Sequence, residues 1–404
     1  MGVLLIWLIA GILFFLSLWT VIPAFNFSLL PLTVAVAEIS PLLCLVSATL
    51  LIILHWLKRY PPRLLLALLI ISLILTSLPL LRLPFAVSKA NQSMAQTFPT
   101  RASSVSTPPF SLTTFFSGLF GIAESTPQSP QHSPVRHQSQ IPFAAPAETP
   151  LFLDLYQPPL ANNEAAGTQR YPTVVMIYGG GWSNGSSTDN ESLGRWLAAK
   201  GYVVVAIDYR HTPDFRFPAQ IEDVKTALSF VLDRADEYEI ARDRISLIGW
   251  SAGAQLAMLA GFEADSPFTD SIKSLISFYG PVNLAAGYSD PPKPDPLDVK
   301  QVLLAYLGGT PDELPDAYAA ASPITYVQAA EPDALPPTLL VYGGRDHIVE
   351  ARFGQYLYEQ IIQSGNQAVW AKIPWAEHSF DKVFYGVGNQ MALHFLERFL
   401  AQTL

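Results

Sequence analysis

Between residues 173 and 373 the sequence repeats one alternation six times, a short apolar, β-branched run followed by a longer stretch. The runs are Thr173 to Tyr178, Val203 to Asp208, Ile245 to Gly249, Leu275 to Tyr279, Thr338 to Tyr342 and Ala368 to Ile373. Helical spacing occupies Leu193 to Lys200, Ala219 to Glu237, Ala252 to Gly261, Arg352 to Ser364 and Asn389 to Gln402. Strands apolar along their whole length belong to a sheet covered on both faces, and intervening helices are the crossovers that parallel pairing requires. The pattern predicts an α/β fold with a mostly parallel sheet and helices on both faces.

Residues 1–82 follow a different rule. Leu4 to Ile22, Ile39 to Leu57 and Leu64 to Leu81 are apolar runs without an acidic residue, broken only by short connections. A helix of about 20 apolar residues crosses ~30 Å of hydrocarbon, so these runs predict about three transmembrane helices. A cleaved signal peptide is the alternative for the first run, but no basic residue precedes it and two further runs follow. Lys58, Arg59 and Arg63 lie between the second and third runs, whereas the connection from Pro23 to Ser40 carries no Lys or Arg. Because basic residues in short loops stay cytoplasmic, this connection and the C-terminal α/β half are expected outside the cytoplasm. Arg82 and Lys89, after the third run, weigh the other way.

Residues 83–147 are rich in Ser, Pro, Thr and Gln and read as a linker, since such a composition buries too little apolar surface to order itself. Within it, Phe110 to Ile122 is apolar and aromatic, suited to a membrane interface or to a sticky patch. Residues 148–404 carry the alternating pattern and are expected to fold as one α/β domain. Of 24 basic and 33 acidic residues, seven and two precede residue 148, so the first part carries +5 and the domain −14. An acidic domain without a basic run has no electrostatic footprint for nucleic acid. The single cysteine, Cys44, lies in the second apolar run. It can form no intrachain disulfide and is placed for packing, not catalysis.

Gly249-Trp250-Ser251-Ala252-Gly253 has the nucleophile-elbow pattern, a serine between small residues on a tight strand-to-helix turn. The pattern alone is weak, and the chain contains a second copy, Gly181-Trp182-Ser183-Asn184-Gly185. Context separates them. Ser251 follows a strand pattern and precedes an unbroken run of helix formers, whereas Ser183 is followed by Asn184-Gly185-Ser186-Ser187, a loop. An elbow lifts the hydroxyl clear of the backbone and aims a helix N-terminus at a developing oxyanion. The N–H of Ala252 is the first expected oxyanion donor. Gly180 and Gly181, in the glycine loop after the 173–178 strand, supply the others.

A serine hydroxyl needs a base, and the base needs an orienting carboxylate. In this fold the acid precedes the histidine, both after late strands. Asp346 follows the 338–342 strand in Gly343-Gly344-Arg345-Asp346-His347, and His378 follows the next strand in Glu377-His378-Ser379. Glu350 and Asp381 are lesser candidates for the acid. His394 lies inside the last helix, His347 adjoins the acid, His211 follows a middle strand, and His132 and His137 fall in the linker.

With these motifs in place, residues 150–404 resemble the carboxylesterases near the hormone-sensitive-lipase and feruloyl-esterase-like groups of the α/β-hydrolase superfamily. Further segments carry the likeness: Asp208-Tyr209-Arg210, Phe217-Pro218-Ala219 with Asp223, Tyr306-Leu307-Gly308-Gly309-Thr310-Pro311, and Ala321-Ser322-Pro323-Ile324. The resemblance implies an α/β-hydrolase fold and a serine hydrolase cleaving small-molecule esters through an acyl-enzyme intermediate, with no cofactor and no metal; the apolar runs before residue 82 add the expectation that it is anchored in a lipid bilayer. A peptidase of the same fold and an inactive membrane-anchored binding module are the alternatives. One departure stands out, since the family usually places histidine before the three glycines and this chain has Tyr178. Leu284 to Ala321, rich in Pro and Asp, is expected to cover the site as a lid or rim.

Overall fold

A computed structural model describes residues 2–56, 62–99, 109–120, 134–160, 169–264 and 266–404. Lys58, Arg59 and His132 lie outside them. Eight strands form one sheet: β1 (Arg136–Ala144), β2 (Leu151–Gln157), β3 (Tyr171–Ile177), β4 (Val203–Ile207), β5 (Ile240–Trp250), β6 (Ile272–Phe278), β7 (Thr338–Gly343) and β8 (Ala368–Ile373). Their order is β1-β2-β4-β3-β5-β6-β7-β8. β2 is antiparallel to β1 and β4, and every other pair is parallel. The six expected runs are β3 to β8. Every residue of β4 is buried, as a strand covered on both faces must be. The chain passes from β3 to β4 on one side and then to β5 on the other. The carboxyl ends of β3 and β5 therefore flank the crevice where ligands bind in such sheets.

The helices are α1 (Gly2–Leu18), α2 (Leu30–Glu38), α3 (Ser40–Trp56), α4 (Arg63–Thr97), α5 (Leu112–Leu119), α6 (Glu191–Ala199), α7 (Ala219–Asp233), α8 (Ala252–Phe262), α9 (Leu284–Ser289), α10 (Val299–Leu307), α11 (Pro315–Ala320), α12 (Pro323–Ala329), α13 (Ala351–Gln363) and α14 (Val387–Thr403). α7, α8, α12 and α13 pack side by side in that order, α7 against β1, α8 over β5 and β6 and α13 over β7 and β8, while α14 packs against β6, β7 and β8 and α6 against β2 and β4. α9, α10 and α11 lie within Leu284 to Ala321, the stretch expected as a lid or rim.

Helices form at all three N-terminal apolar runs, and α1, α3 and α4 pack together around Ala10, Leu13, Leu43 and Leu69. Among the described residues, α4 alone is long and apolar enough to cross a membrane. The stretch Phe27–Glu38 with α3 makes a second candidate only if its 63° bend is counted within one span. α1 is shorter. Length and composition thus support one or two of the three expected spans.

The expected boundary at residue 82 is also displaced, because α4 continues to Thr97. Leu83, Ala86, Ala90 and Met94 recur at helical spacing and join the core of the α/β domain. Trp370 N donates to Ser93 Oγ at 2.9 Å and Thr97 Oγ1 donates to the Ala368 carbonyl at 2.6 Å. This end of α4 therefore satisfies backbone groups on the outer edge of β8, which would otherwise stand open. β1 likewise occupies the end of the expected linker. Its Gln-Ser-Gln sequence hides an edge strand with register shifts on both sides of Ile141 and Pro142. In the aromatic patch, α5 is held to the start of α14 by Ser111 N, which donates to Gln390 Oε1 at 2.9 Å. Residues 121–122 of that patch lie outside the described ones.

Candidate active site

Ser251 stands between the end of β5 and the start of α8 with φ 50° and ψ −121°, a region that costs a non-glycine residue energy and marks functional turns. Its N–H donates to the Phe278 carbonyl at 2.9 Å, which ties the turn to β6. Gly253 lets the turn sit against β3, because a Cβ there would lie 2.1 Å from the Ile177 carbonyl oxygen and 2.2 Å from that of Tyr178. The packing that requires this glycine also brings the glycine loop beside the serine.

His378 and Asp346 come from loops after β8 and β7 and are both buried. Ser251 Oγ is 3.1 Å from His378 Nε2, and His378 Nδ1 is 2.8 Å from Asp346 Oδ2. A carboxylate only accepts, so Nδ1 carries the proton and Nε2 is left to accept from the serine. Asp346 Oδ1 in turn accepts from Ile348 N at 2.8 Å and Val349 N at 2.7 Å. The lesser candidates lie elsewhere. Glu350 pairs with Arg352, and Asp381 accepts from the Tyr279 hydroxyl in a short bond. Burial raises the Asp381 carboxyl above the usual range and pushes the Tyr279 hydroxyl up as well. The Tyr279 ring lies 4.4 Å from the His378 imidazole and covers it on one side.

Glu377 is the contact that sequence reasoning missed. Fully buried, its Oε1 accepts from His347 N at 2.7 Å and His378 N at 3.1 Å, and its Oε2 lies 2.6 Å from His347 Nδ1. One carboxylate thus binds the loop of the acid to the loop of the base. The available signal was an acidic residue immediately before His378, paired with a histidine immediately after Asp346.

Gly180, with φ 124°, admits no side chain, since a Cβ would lie 2.1 Å from the Asn184 carbonyl oxygen. Among the described residues no acceptor takes the N–H of Gly180, Gly181 or Ala252. Gly181, Ser251 and Ala252 line one cavity together. Tyr178, in the place of the family histidine, is buried; its hydroxyl lies 2.8 Å from His211 Nε2, and its ring stacks on Tyr209 at 4.4 Å. Tyr209 Oη donates back to the Tyr178 carbonyl at 3.1 Å. Tyr178 thus ties the start of the glycine loop to Tyr209 and His211. Burial, first of all, raises the Tyr178 hydroxyl pKa and lowers that of the His211 imidazole.

Two cavities meet at Ser251. The smaller, about 60 Å³, is walled by apolar residues of the α9–α10 region including Leu284, Val299 and Leu303, together with Trp182 and Phe353. The larger, about 480 Å³, holds His378, Gly180 and Lys382 and is bounded on another side by Phe27 and Leu30, from the N-terminal region. Among the described residues no group of three or more His, Cys, Asp or Glu is placed to hold a metal ion.

The BD-FAE family model matches residues 153–361, more than half of the chain. The chain belongs to the BD-FAE family. Among its relatives, a probable carboxylic ester hydrolase of Mycobacterium tuberculosis, LipM, is 30% identical over 264 residues, covering 62% of this chain and 58% of the relative. Esterase LipC of the same organism is 29% identical over 247 residues, covering 58% and 59%. The alignment thus spans less than two thirds of the length of either relative. Of solved structures, esterase B from Lactobacillus rhamnosis superposes with a TM-score of 0.57 at 20% identity over 80% of this chain and 96% of that one. Fungal esterase structures from Rhizomucor miehei give 0.55 at 21% identity over 74% and 98%. At such identities the superpositions establish the α/β-hydrolase fold of this BD-FAE member.

Proposed function

We propose that this BD-FAE protein is a membrane-anchored serine hydrolase that cleaves carboxylic esters through an acyl-enzyme intermediate. The observation that carries the reading is the unbroken hydrogen-bond chain from Ser251 through His378 to Asp346 on a strained elbow. Ser251 Oγ attacks the ester carbonyl carbon while its proton passes to His378 Nε2. The negative charge on the carbonyl oxygen is met by the N–H groups of Gly180, Gly181 and Ala252 and by the amino end of α8. His378 then protonates the departing alkoxide, so the C–O bond breaks with alcohol as leaving group. A water molecule, deprotonated by His378, releases the acid and restores the serine. The names of the M. tuberculosis relatives support ester cleavage.

The two cavities divide the substrate. His378 borders the larger one and is absent from the lining of the smaller. Since the leaving alcohol must be within reach of Nε2, the alcohol half occupies the larger cavity and a short acyl group the smaller. Initial rates on p-nitrophenyl acetate, butyrate and decanoate test this, with decanoate expected slowest. A rate that rises with acyl length would contradict the division.

The anchor is the apolar N-terminal part, with the Leu64 to Leu81 portion of α4 as its principal span. The connection of residues 23–40, which carries no Lys or Arg, packs on the catalytic domain, which supports placing that domain outside the cytoplasm. In intact cells expressing the chain with Cys44→Ala and Asp236→Cys, a membrane-impermeant maleimide should label the exposed new thiol. Labelling only after lysis would reverse the orientation.

A further inference from the structure

The N-terminal region is built into the larger cavity. Phe27 and Leu30, near the start of α2, form part of its lining. Two polar clasps hold them there. The Arg345 guanidinium, one residue before Asp346, donates to the carbonyls of Trp19, Thr20 and Ile22 just past the end of α1, at 3.3, 2.5 and 3.0 Å. A cation at that position meets the helix end that carries partial negative charge. Glu38, fully buried at the end of α2, accepts from Gly388 N at 2.6 Å and Asn389 N at 3.3 Å, at the amino end of α14. Between the clasps, Ala24, Leu30 and Val34 pack with Ile348, two residues after Asp346.

The cavity has two kinds of wall. Phe27, Leu30, Leu297 and Ile348 are apolar, whereas Asn184 after the glycine loop, Asn190 before α6 and Lys382 after His378 are polar. The apolar wall continues outward, because Phe25 and Phe27 leave 61% and 58% of their surface exposed beside exposed Val21 and Ile22. These lead to α1, whose Leu4, Leu8 and Phe15 are exposed too. Contiguous exposed apolar surface of this kind marks contact with a partner or a membrane, and here it joins helices of bilayer-spanning composition. From the division of acyl and alcohol halves made above, on which this step rests, we infer that the substrate is an amphiphilic ester. Its alcohol half carries a long apolar chain that reaches the site from the bilayer along Phe25, Phe27 and Leu30. Phe27 and Leu30 are specificity-determining residues, and the membrane segment is part of the active site as well as its tether.

The test uses the full chain in detergent micelles, following acetate release from ethyl acetate and decyl acetate. Phe27→Ala should lower the ratio of kcat/KM for decyl over ethyl acetate about tenfold, mainly through KM, the scale expected for one lost aromatic contact with a buried chain. Phe27→Leu should restore most of the ratio. Phe27 is exposed, so its loss does not threaten folding, and Leu30→Ala provides an independent second variant. A ratio that stays within twofold of wild type in Phe27→Ala while both esters are hydrolysed overturns the inference alone. A wild-type chain that hydrolyses neither ester and is not labelled by a fluorophosphonate overturns the ester-hydrolase reading and this inference with it.

Discussion

The chain carries the same five-residue pattern twice, and the two copies fold to different ends. Gly249 to Gly253 bridges β5 and α8, so its serine takes a positive φ and faces His378. Gly181 to Gly185 follows β3 but enters a loop, and Ser183 lies exposed, donating to the Gly180 carbonyl at 3.3 Å. The second copy serves the first. Its Trp182 donates to Gln255 Oε1 on α8 at 3.0 Å and stacks on Tyr306 at 4.0 Å, which pins the glycine loop beside Ser251. A serine between small residues is therefore only a permission. The helix that follows, with its free N–H groups and dipole, decides which copy can act as a nucleophile.

The sharpest way to break this contrast is Ser251→Ala, which should lower kcat on p-nitrophenyl acetate at least about 10⁴-fold with the circular dichroism spectrum unchanged. Asp346→Asn should follow at about 10³-fold, because the amide no longer holds the imidazole in the tautomer that accepts from serine. Retention of full activity in that variant would move the acid role to another carboxylate. Glu377→Ala removes the acceptor shared by the His347 and His378 N–H groups. Unpaired buried donors cost on the order of 1 to 3 kcal/mol, so kcat should fall roughly 10- to 100-fold with a lower melting temperature. Glu377→Gln, which keeps one acceptor, should recover most of kcat, and failure to do so would mean that charge, not geometry, is the contribution.

On the side of the second copy the effects should be smaller. Tyr178→Phe breaks the contact with His211 that braces the glycine loop and should reduce kcat several-fold with KM nearly unchanged. If both Tyr178→Phe and Tyr178→His leave turnover untouched, the ring stack on Tyr209 suffices. Ser183→Ala should stay within twofold of wild type, and a large loss there would erase the distinction between the two copies.

What could be read from the sequence follows from how local its cause is. β8 lies where its apolar run ends, at Ala368 and Ile373, and β3 to β7 match to within a few residues. Ser251, Asp346 and His378 stood out because Ser251 directly follows β5 and the other two lie on the loops after β7 and β8, and the structure brings those three together. β1 escaped because an edge strand tolerates Gln, Ser and Pro, and β2 because its apolar run adjoins a polar linker. The extension of α4 escaped because Asn, Gln and Ser between the buried positions masked a helical period. The clasps had no local signal at all, since Glu38 and Gly388 are 350 positions apart and Arg345 meets a helix end at the other end of the chain.

The most direct measurement is to react the full-length chain with a fluorophosphonate at pH 7.5, digest it and map the adduct by mass spectrometry. The account predicts one adduct per chain on Ser251, abolished in Ser251→Ala and strongly slowed in His378→Ala. An adduct on Ser183, or ester hydrolysis that persists with Ser251 unmodified, would contradict it.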